Sequence, residues 1–180
     1  MTDRVAKRGH WFGEWAPVEG SAHEAICLRK GCGGAASVDC EMVACMLAPD
    51  GQEEPLALSL CPICGRIEDG ESLLLKNVTA AALKGSLPAG EVFARLFTLK
   101  NGEKLLAVGF EHGGRLVQTD CPVRITLPAE AVAGYSFSLI ESGGTETEAA
   151  FEGKDEEAFF CMDFTEDEIP VILIRLTDAE

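Results

Sequence analysis

Two short loops that each carry a pair of cysteines constrain this chain more than any other feature. The first loop reads Cys27-Leu-Arg-Lys-Gly-Cys32-Gly, and the second reads Cys61-Pro-Ile-Cys64-Gly. A glycine directly follows the second cysteine of each loop, and glycine adopts the positive φ angle that lets backbone N–H groups point back at the sulfur atoms. Two such loops facing each other supply four thiolates in the tetrahedral arrangement of a structural zinc site. We therefore predict that Cys27, Cys32, Cys61 and Cys64 bind Zn²⁺.

Four further side chains leave the composition of this metal shell open. They are His10, His23, Cys40 and Cys45. The segment from Ala36 to Leu47 alternates like one continuous strand, which places Cys40 and Cys45 on opposite faces as two small buried side chains. The alternative is that His10, His23 and one of these two cysteines replace a ligand of the predicted zinc site or form a second metal site. Iron in a rubredoxin-like site is an alternative to zinc, since both ions accept tetrahedral sulfur, and disulfides are an alternative to any metal.

The same loops decide what can be expected of catalysis. Four protein ligands leave no position for water, so such a site stabilises a fold and does not catalyse. A redox enzyme would place Cys61 and Cys64 at the start of a helix, but the residues after them, Gly65 to Gly70, are poor helix formers. The chain has no Gly-x-Ser-x-Gly elbow and no complete phosphate-binding loop. We expect a protein that is not an enzyme, with thiol redox chemistry or rubredoxin-like electron transfer as the alternative function.

The charge of the chain narrows the class of partner. Lys and Arg total 15 against 30 for Asp and Glu, which gives a net charge of −15, and residues 1–70 and 71–180 carry −5 and −10. Nucleic acid is not expected as a partner, because phosphate binding needs a basic surface. No stretch reaches the roughly 18 apolar residues of a membrane helix, and no signal peptide is visible. The expectation is a cytoplasmic protein without a membrane span that binds a protein partner.

The composition changes after Gly70, which predicts two modules. Six of the eight cysteines lie between residues 27 and 64. There, a hairpin with Pro49-Asp50-Gly51 at its tip separates the two cysteine loops, as a zinc ribbon requires. Alternating apolar segments follow at the spacing of a sandwich or barrel. These segments span 72–76, 80–83, 91–99, 104–111, 116–119, 123–127, 135–141, 147–151, 157–164 and 171–177. The predicted fold is mostly β, with an N-terminal zinc ribbon over 1–70 and a C-terminal antiparallel β-sandwich over 71–180.

Smaller features add three expectations. Asn101-Gly102, between two alternating segments, is the strongest hairpin signal in the chain. The segment from Pro128 to Ala133 is suited to a single helical turn. Trp11 and Trp15 are expected to pack onto the metal module, whose own core is small; an exposed aromatic platform for a ligand is the alternative.

Several of these motifs resemble known families. Cys27-x4-Cys32-Gly together with Cys61-Pro-x-Cys64-Gly resembles the zinc-ribbon family, and the second loop is also similar to that of rubredoxin. Over about the first 40 residues, His10-x4-Trp15 followed by His23-x3-Cys27-x4-Cys32 resembles small cysteine/histidine modules in surface proteins of Gram-positive gut bacteria. Those modules are not enzymes, and the resemblance implies an extracytoplasmic location. We predict a non-catalytic, zinc-stabilised binding or assembly module.

The second half has a resemblance of its own. Pro122 to Pro128, Tyr135, Phe159 to Phe164 and Val171 to Leu176 are similar to segments of the immunoglobulin-like β-sandwich modules of bacterial surface proteins. The resemblance implies a sandwich of that type at the C-terminal end of the chain.

Overall fold

The computed structural model describes residues 10–47, 54–140, 146–149, 151–154, 156–163 and 170–179. Within these ranges the chain forms sixteen strands, one 3₁₀ turn and no α-helix. The strands are β1 (Ala16–Pro17), β2 (Ala22–Ile26), β3 (Ala35–Asp39), β4 (Val43–Leu47), β5 (Leu56–Leu60), β6 (Gly70–Leu74), β7 (Thr79–Ala82), β8 (Glu91–Leu99), β9 (Lys104–His112), β10 (Arg115–Val117), β11 (Pro122–Pro128), β12 (Tyr135–Ile140), β13 (Glu146–Ala149), β14 (Glu152–Lys154), β15 (Glu157–Asp163) and β16 (Val171–Asp178). The prediction of a mostly β protein is confirmed.

Two antiparallel sheets enclose the largest core. A seven-stranded sheet has the order β13-β12-β16-β9-β8-β6, with β10 paired to β9, and a four-stranded sheet has the order β14-β15-β11-β7. Both sheets contribute fully buried side chains to one cluster, among them Leu106 and Val108 of β9 and Ile125 and Leu127 of β11. The alternation of apolar residues along these strands is what supplies each sheet with one apolar face. The antiparallel two-layer arrangement expected for the second half is therefore present.

Two local predictions in this half are confirmed. The Asn101-Gly102 turn joins β8 and β9, with Gly102 at φ +89°. The side-chain oxygen of Asn101 accepts a hydrogen bond from the N–H of Glu103 at 3.0 Å, which closes the turn. The expected helical turn is the 3₁₀ segment Ala129–Ala131. The short strand β14 in this half, and β1 in the first half, are not predicted by the sequence.

The first half forms two small sheets, and one prediction about it is wrong. One sheet has the order β1-β2-β3, and the other is the β4-β5 hairpin, whose predicted tip at Pro49-Asp50-Gly51 lies outside the described residues. The expected single strand from Ala36 to Leu47 is broken, because β3 ends at Asp39 and β4 begins at Val43. In the break, the N–H of Cys40 donates to the carbonyl of Ser21 at 2.7 Å. The break removes the strict alternation between Cys40 and Cys45.

Contacts cross the predicted domain boundary. Leu47 and Leu60 of the β4-β5 hairpin are almost fully buried in a second core, with Phe97 of β8 and Leu105 of β9. This core lies on the face of the seven-stranded sheet opposite to the main core, because alternate residues of β8 and β9 point to opposite faces. The division at residue 70 remains a prediction, and β6 begins at that position.

Candidate metal centre

Four of the potential ligands come together in one buried group, which we call the buried cluster. It consists of His23, Cys40, Cys61 and Cys64, whose ligand atoms all lie within 4.8 Å of one another. The Cys40 sulfur lies 3.5 Å from Nδ1 of His23 and 3.7 Å from the Cys64 sulfur. The Cys61 sulfur lies 3.7 Å from the same Nδ1. These donors can hold a metal ion.

Three other ligands form a second group, the exposed cluster. It consists of His10, Cys27 and Cys32, again with all ligand atoms within 4.8 Å of one another. Nδ1 of His10 lies 3.2 Å from the Cys32 sulfur. His10 and Cys32 are exposed, while Cys27 is buried. This group too has the composition of a metal site.

The structure divides the four cysteines that were predicted to share one ion. Cys61 and Cys64 belong to the buried cluster, whereas Cys27 and Cys32 belong to the exposed cluster. The expected pairing of the two loops with each other is thus replaced by pairing of each loop with a histidine. His10, His23 and Cys40 are the residues that the sequence offers as alternative ligands, but the sequence does not group them. The segment around Cys40 contains no Gly or Pro that would signal the break that frees this residue.

The Cys61–Cys64 loop has the local structure that favours a thiolate. The N–H of Gly65 donates to the carbonyl of Cys61 at 2.8 Å, and Gly65 has φ +79°. Hydrogen bonds from the Cys64 thiol, and from the N–H groups of Cys64 and Ile63, lower the pKa of Cys61 to about 5 despite its burial. The pKa of Cys64 is raised, first because its thiol donates to the Cys61 thiolate and then because it is buried. The loop therefore stabilises negative charge on Cys61.

Arg95 of β8 holds this loop in place. Its Nε donates to the carbonyl of Pro62 at 3.0 Å, and its Nη2 donates to the carbonyl of Ile63 at 2.7 Å. In a trans peptide the C=O and N–H groups point in opposite directions. A guanidinium that binds the Pro62 and Ile63 carbonyls therefore turns the following N–H groups away from itself, toward the Cys61 sulfur. Arg95 is only 3% exposed, and burial lowers its pKa, while Glu14 and the two thiols act in the opposite direction.

His23 is oriented by a turn that lies far from it in the sequence. Its Nε2 donates to the carbonyl of Gly114 at 2.8 Å, which leaves the lone pair of Nδ1 directed at the sulfur atoms. The ring of Trp15 packs edge-on against His23, with centroids 5.1 Å apart. A Cβ at Gly114 would lie 2.8 Å from Cζ2 of Trp15, so the absence of a side chain at this position makes room for the indole. The turn and the tryptophan together fix the imidazole plane.

Arginine side chains offset the negative charge of the buried cluster. Arg66, two residues after Cys64, donates to the carbonyls of Val18, Gly20 and Ala22, the last at 2.9 Å. These hydrogen bonds connect the 18–22 segment to the Cys61–Cys64 loop. The pKa of Cys40 is raised by burial and by the Cys61 thiolate, and Arg66 opposes this increase. Arg95 interacts in the same way with Cys61 and Cys64, so two cations offset the charge of the thiols.

The two tryptophans have different environments. Trp15 is 6% exposed and packs in a small core with Cys61, Ile63 and Cys64, as expected. Trp11 is 65% exposed, so for this residue the expected packing onto the metal module is wrong.

The remaining cysteines lie outside both clusters. Cys45 packs in the second core, and burial raises its pKa to about 11. Cys121 is buried and Cys161 is exposed. All eight cysteines lie within the described ranges, and no disulfide joins any two of them. The described ranges contain no helix that is long and apolar enough to cross a membrane.

Comparison with known proteins identified no relative. No protein family, curated protein or solved structure matches this chain. The geometry of the two clusters is therefore the basis for inferring function.

Proposed function

We propose that the protein is a non-catalytic binding or assembly module whose N-terminal part is a zinc-ribbon-like unit, stabilised by Zn²⁺ in the buried cluster. The observation that carries this proposal is the convergence of one imidazole nitrogen and three sulfur atoms from four separate positions of the chain, His23, Cys40, Cys61 and Cys64. One histidine and three cysteines are a common ligand set of structural zinc.

The spacing of the donors supports a tetrahedral ion. Zn–S and Zn–N bonds of about 2.3 and 2.0–2.1 Å imply tetrahedral edges of roughly 3.8 Å between two sulfurs and 3.6 Å between sulfur and nitrogen. The sulfurs of Cys40 and Cys64 are 3.7 Å apart, and Nδ1 of His23 lies 3.5 and 3.7 Å from the sulfurs of Cys40 and Cys61. These three donor pairs thus stand at the distances that zinc requires, and all four ligand atoms lie within 4.8 Å of one another.

The surroundings of the cluster support a structural role for the ion. Four protein ligands close a tetrahedral shell, and three thiolates with a neutral imidazole leave about one excess negative charge on a divalent ion. Arg66 and Arg95 are placed to offset this charge. The imidazole also distinguishes the set from the four thiolates of a rubredoxin-like iron site. A closed, charge-compensated shell supplies folding free energy and no open position for a substrate.

An exposed apolar surface supports a protein partner. Trp11, Ile26 and Leu28 are each more than half exposed and lie on adjacent positions of the paired segments around the Phe12–Cys27 bridge. Exposed aromatic and aliphatic side chains of this kind are typical anchors of protein interfaces. The metal would serve to hold this surface rigid.

The experiment that tests the proposal is a count of tightly bound zinc in two cysteine variants. Purified full-length protein is dialysed against a weak chelator, and zinc per chain is measured by elemental analysis. We expect Cys40→Ser to retain one zinc fewer than the wild type. Cys45→Ser is the matched control, because Cys45 lies in the second core and not in the cluster. Equal zinc in the wild type and Cys40→Ser would refute the site, and iron in place of zinc would favour electron transfer.

A further inference from the structure

We propose that the exposed cluster is a second metal site, for a thiophilic divalent cation such as Zn²⁺, in which three protein ligands leave the fourth position to a ligand from solution. His10, Cys27 and Cys32 supply one imidazole and two sulfur atoms. The inference does not depend on the buried cluster, since the two groups share no residue.

Backbone pairing brings the three ligands together. Phe12 forms a β-bridge with Cys27, the N–H of Gly13 donates to the carbonyl of Ile26 at 2.9 Å, and the N–H of Leu28 donates to the carbonyl of Trp11 at 2.7 Å. This antiparallel register carries His10 to the beginning of the loop between Cys27 and Cys32. The imidazole therefore reaches the sulfurs because of a defined pairing and not because of chance proximity on the surface.

The loop itself is shaped like a ligand loop. The N–H of Cys32 donates to the carbonyl of Arg29 at 3.0 Å, and the N–H of Cys27 donates to the carbonyl of Gly34 at 2.8 Å. A Cβ at Gly34 would lie 3.0 Å from Cε1 of His10 and 3.3 Å from the Cys32 sulfur. Gly34 thus leaves the space in which the ring and the sulfur approach each other to 3.2 Å.

The composition of the cluster sets its chemistry apart from that of the buried one. Two thiolates and a neutral imidazole balance the charge of a divalent ion, so no neighbouring cation is needed. Within the described part of the chain, no fourth His, Cys, Asp or Glu joins these three ligands. His10 and Cys32 are exposed, so solvent reaches the site. Three protein ligands with an accessible fourth position bind an exchangeable water or an incoming thiol or imidazole.

The first test measures how many equivalents of Co²⁺ the full chain binds. The thiolate-to-Co²⁺ charge-transfer absorption serves as the signal in this titration. We expect two equivalents in the wild type and the loss of one in Cys32→Ser and in His10→Ala. Cys161→Ser is the control, because Cys161 is exposed and lies in neither cluster. Cys32→Ser and His10→Ala variants that each bind as many equivalents as the wild type would overturn the proposal.

The second test addresses the open position and separates the two sites. In Cys40→Ser, which removes a ligand of the buried cluster, we expect added imidazole or 2-mercaptoethanol to shift the visible d–d bands of the remaining bound Co²⁺. The shift should be absent in the double variant Cys40→Ser/Cys32→Ser. If the bands of Cys40→Ser do not respond, the fourth position is not open. If Cys40→Ser keeps both equivalents, the buried site fails while the exposed site stands.

Discussion

At the residue scale, Arg95 connects the loop that carries Cys61 and Cys64 to the large sheet. A buried guanidinium is costly unless its donors are satisfied, and here they bind the carbonyls of Pro62 and Ile63 and the hydroxyl of Ser72, the last at 3.3 Å. Glu14 lies 3.8 Å from the guanidinium as its counter-charge. The same contacts orient the N–H groups that stabilise the Cys61 thiolate. Arg95 is therefore a positioning residue for the proposed site.

Replacement of Arg95 by methionine tests this role. We expect Arg95→Met to lose about 2–5 kcal/mol of unfolding free energy, because two buried carbonyls lose their donors. Its affinity for zinc should also fall. The matched control is Arg124→Met, since Arg124 is exposed and stacks 3.7 Å from the Phe159 ring, a contact that contributes about 0.5–1 kcal/mol. Urea denaturation measures the unfolding free energy, and competition with a zinc-binding dye measures the zinc affinity. Equal losses in Arg95→Met and Arg124→Met would contradict a positioning role for Arg95.

At the scale of elements, the turn between β9 and β10 supports the buried cluster from a distance. Its Gly114 carbonyl accepts the hydrogen bond of His23, and its Gly114 N–H donates to the side chain of Glu111 at 3.0 Å. The N–H of Leu116, just beyond the turn, donates to Glu41 at 2.8 Å. The turn thus supplies the acceptor that orients His23 toward the Cys61–Cys64 loop.

Two adjacent glycines of this turn provide a paired test. Gly113 and Gly114 have φ of +59° and +80°, so alanine at either position costs roughly 1–2 kcal/mol in backbone strain. A Cβ at Gly113 meets nothing within 4 Å, whereas one at Gly114 collides with Trp15. We expect Gly114→Ala to be less stable than Gly113→Ala by about 1–3 kcal/mol and to bind zinc more weakly. Thermal denaturation and zinc titration check this. Equal stability and equal zinc affinity in the two variants would show that the turn does not position His23.

At the scale of the whole molecule, the second core links the half that carries the two clusters to the large sheets. Leu47 and Leu60 are buried against Phe97 and Leu105, and Cys61 directly follows Leu60. Loss of order in the Cys61–Cys64 loop would therefore expose apolar surface on the seven-stranded sheet. We infer that the two halves unfold together.

Removal of the metal tests this coupling. At free zinc about 1,000 times the dissociation constant, binding adds about 4 kcal/mol to stability. For a chain of this size we expect strong chelation to lower Tm by roughly 10 °C. Far-UV circular dichroism follows the large sheets, and fluorescence of Trp11→Phe follows Trp15. Both signals should shift together, and an unchanged dichroism transition would mean that the halves are independent.

Much of the architecture follows from local sequence patterns. The alternation along β8 and β9 and the Asn101-Gly102 turn between them predict the central hairpin, because strand periodicity and turn chemistry act over a few residues. The two cysteine loops were recognised for the same reason. The break at Cys40 was missed, because the alternation from Ala36 to Leu47 continues across it without a local breaker.

By itself, the sequence determined the mostly β class, the positions of most strands and the identity of the residues able to bind metal. Only the tertiary structure decided how those residues are grouped. Cys40 joins Cys61 and Cys64 because the chain leaves the sheet after Asp39. His23 faces them because the carbonyl of Gly114, ninety-one residues away, accepts a hydrogen bond from its Nε2. Ligands of one ion need only be close in space, and that closeness is set by the packing of distant elements, which spacing along the chain does not encode.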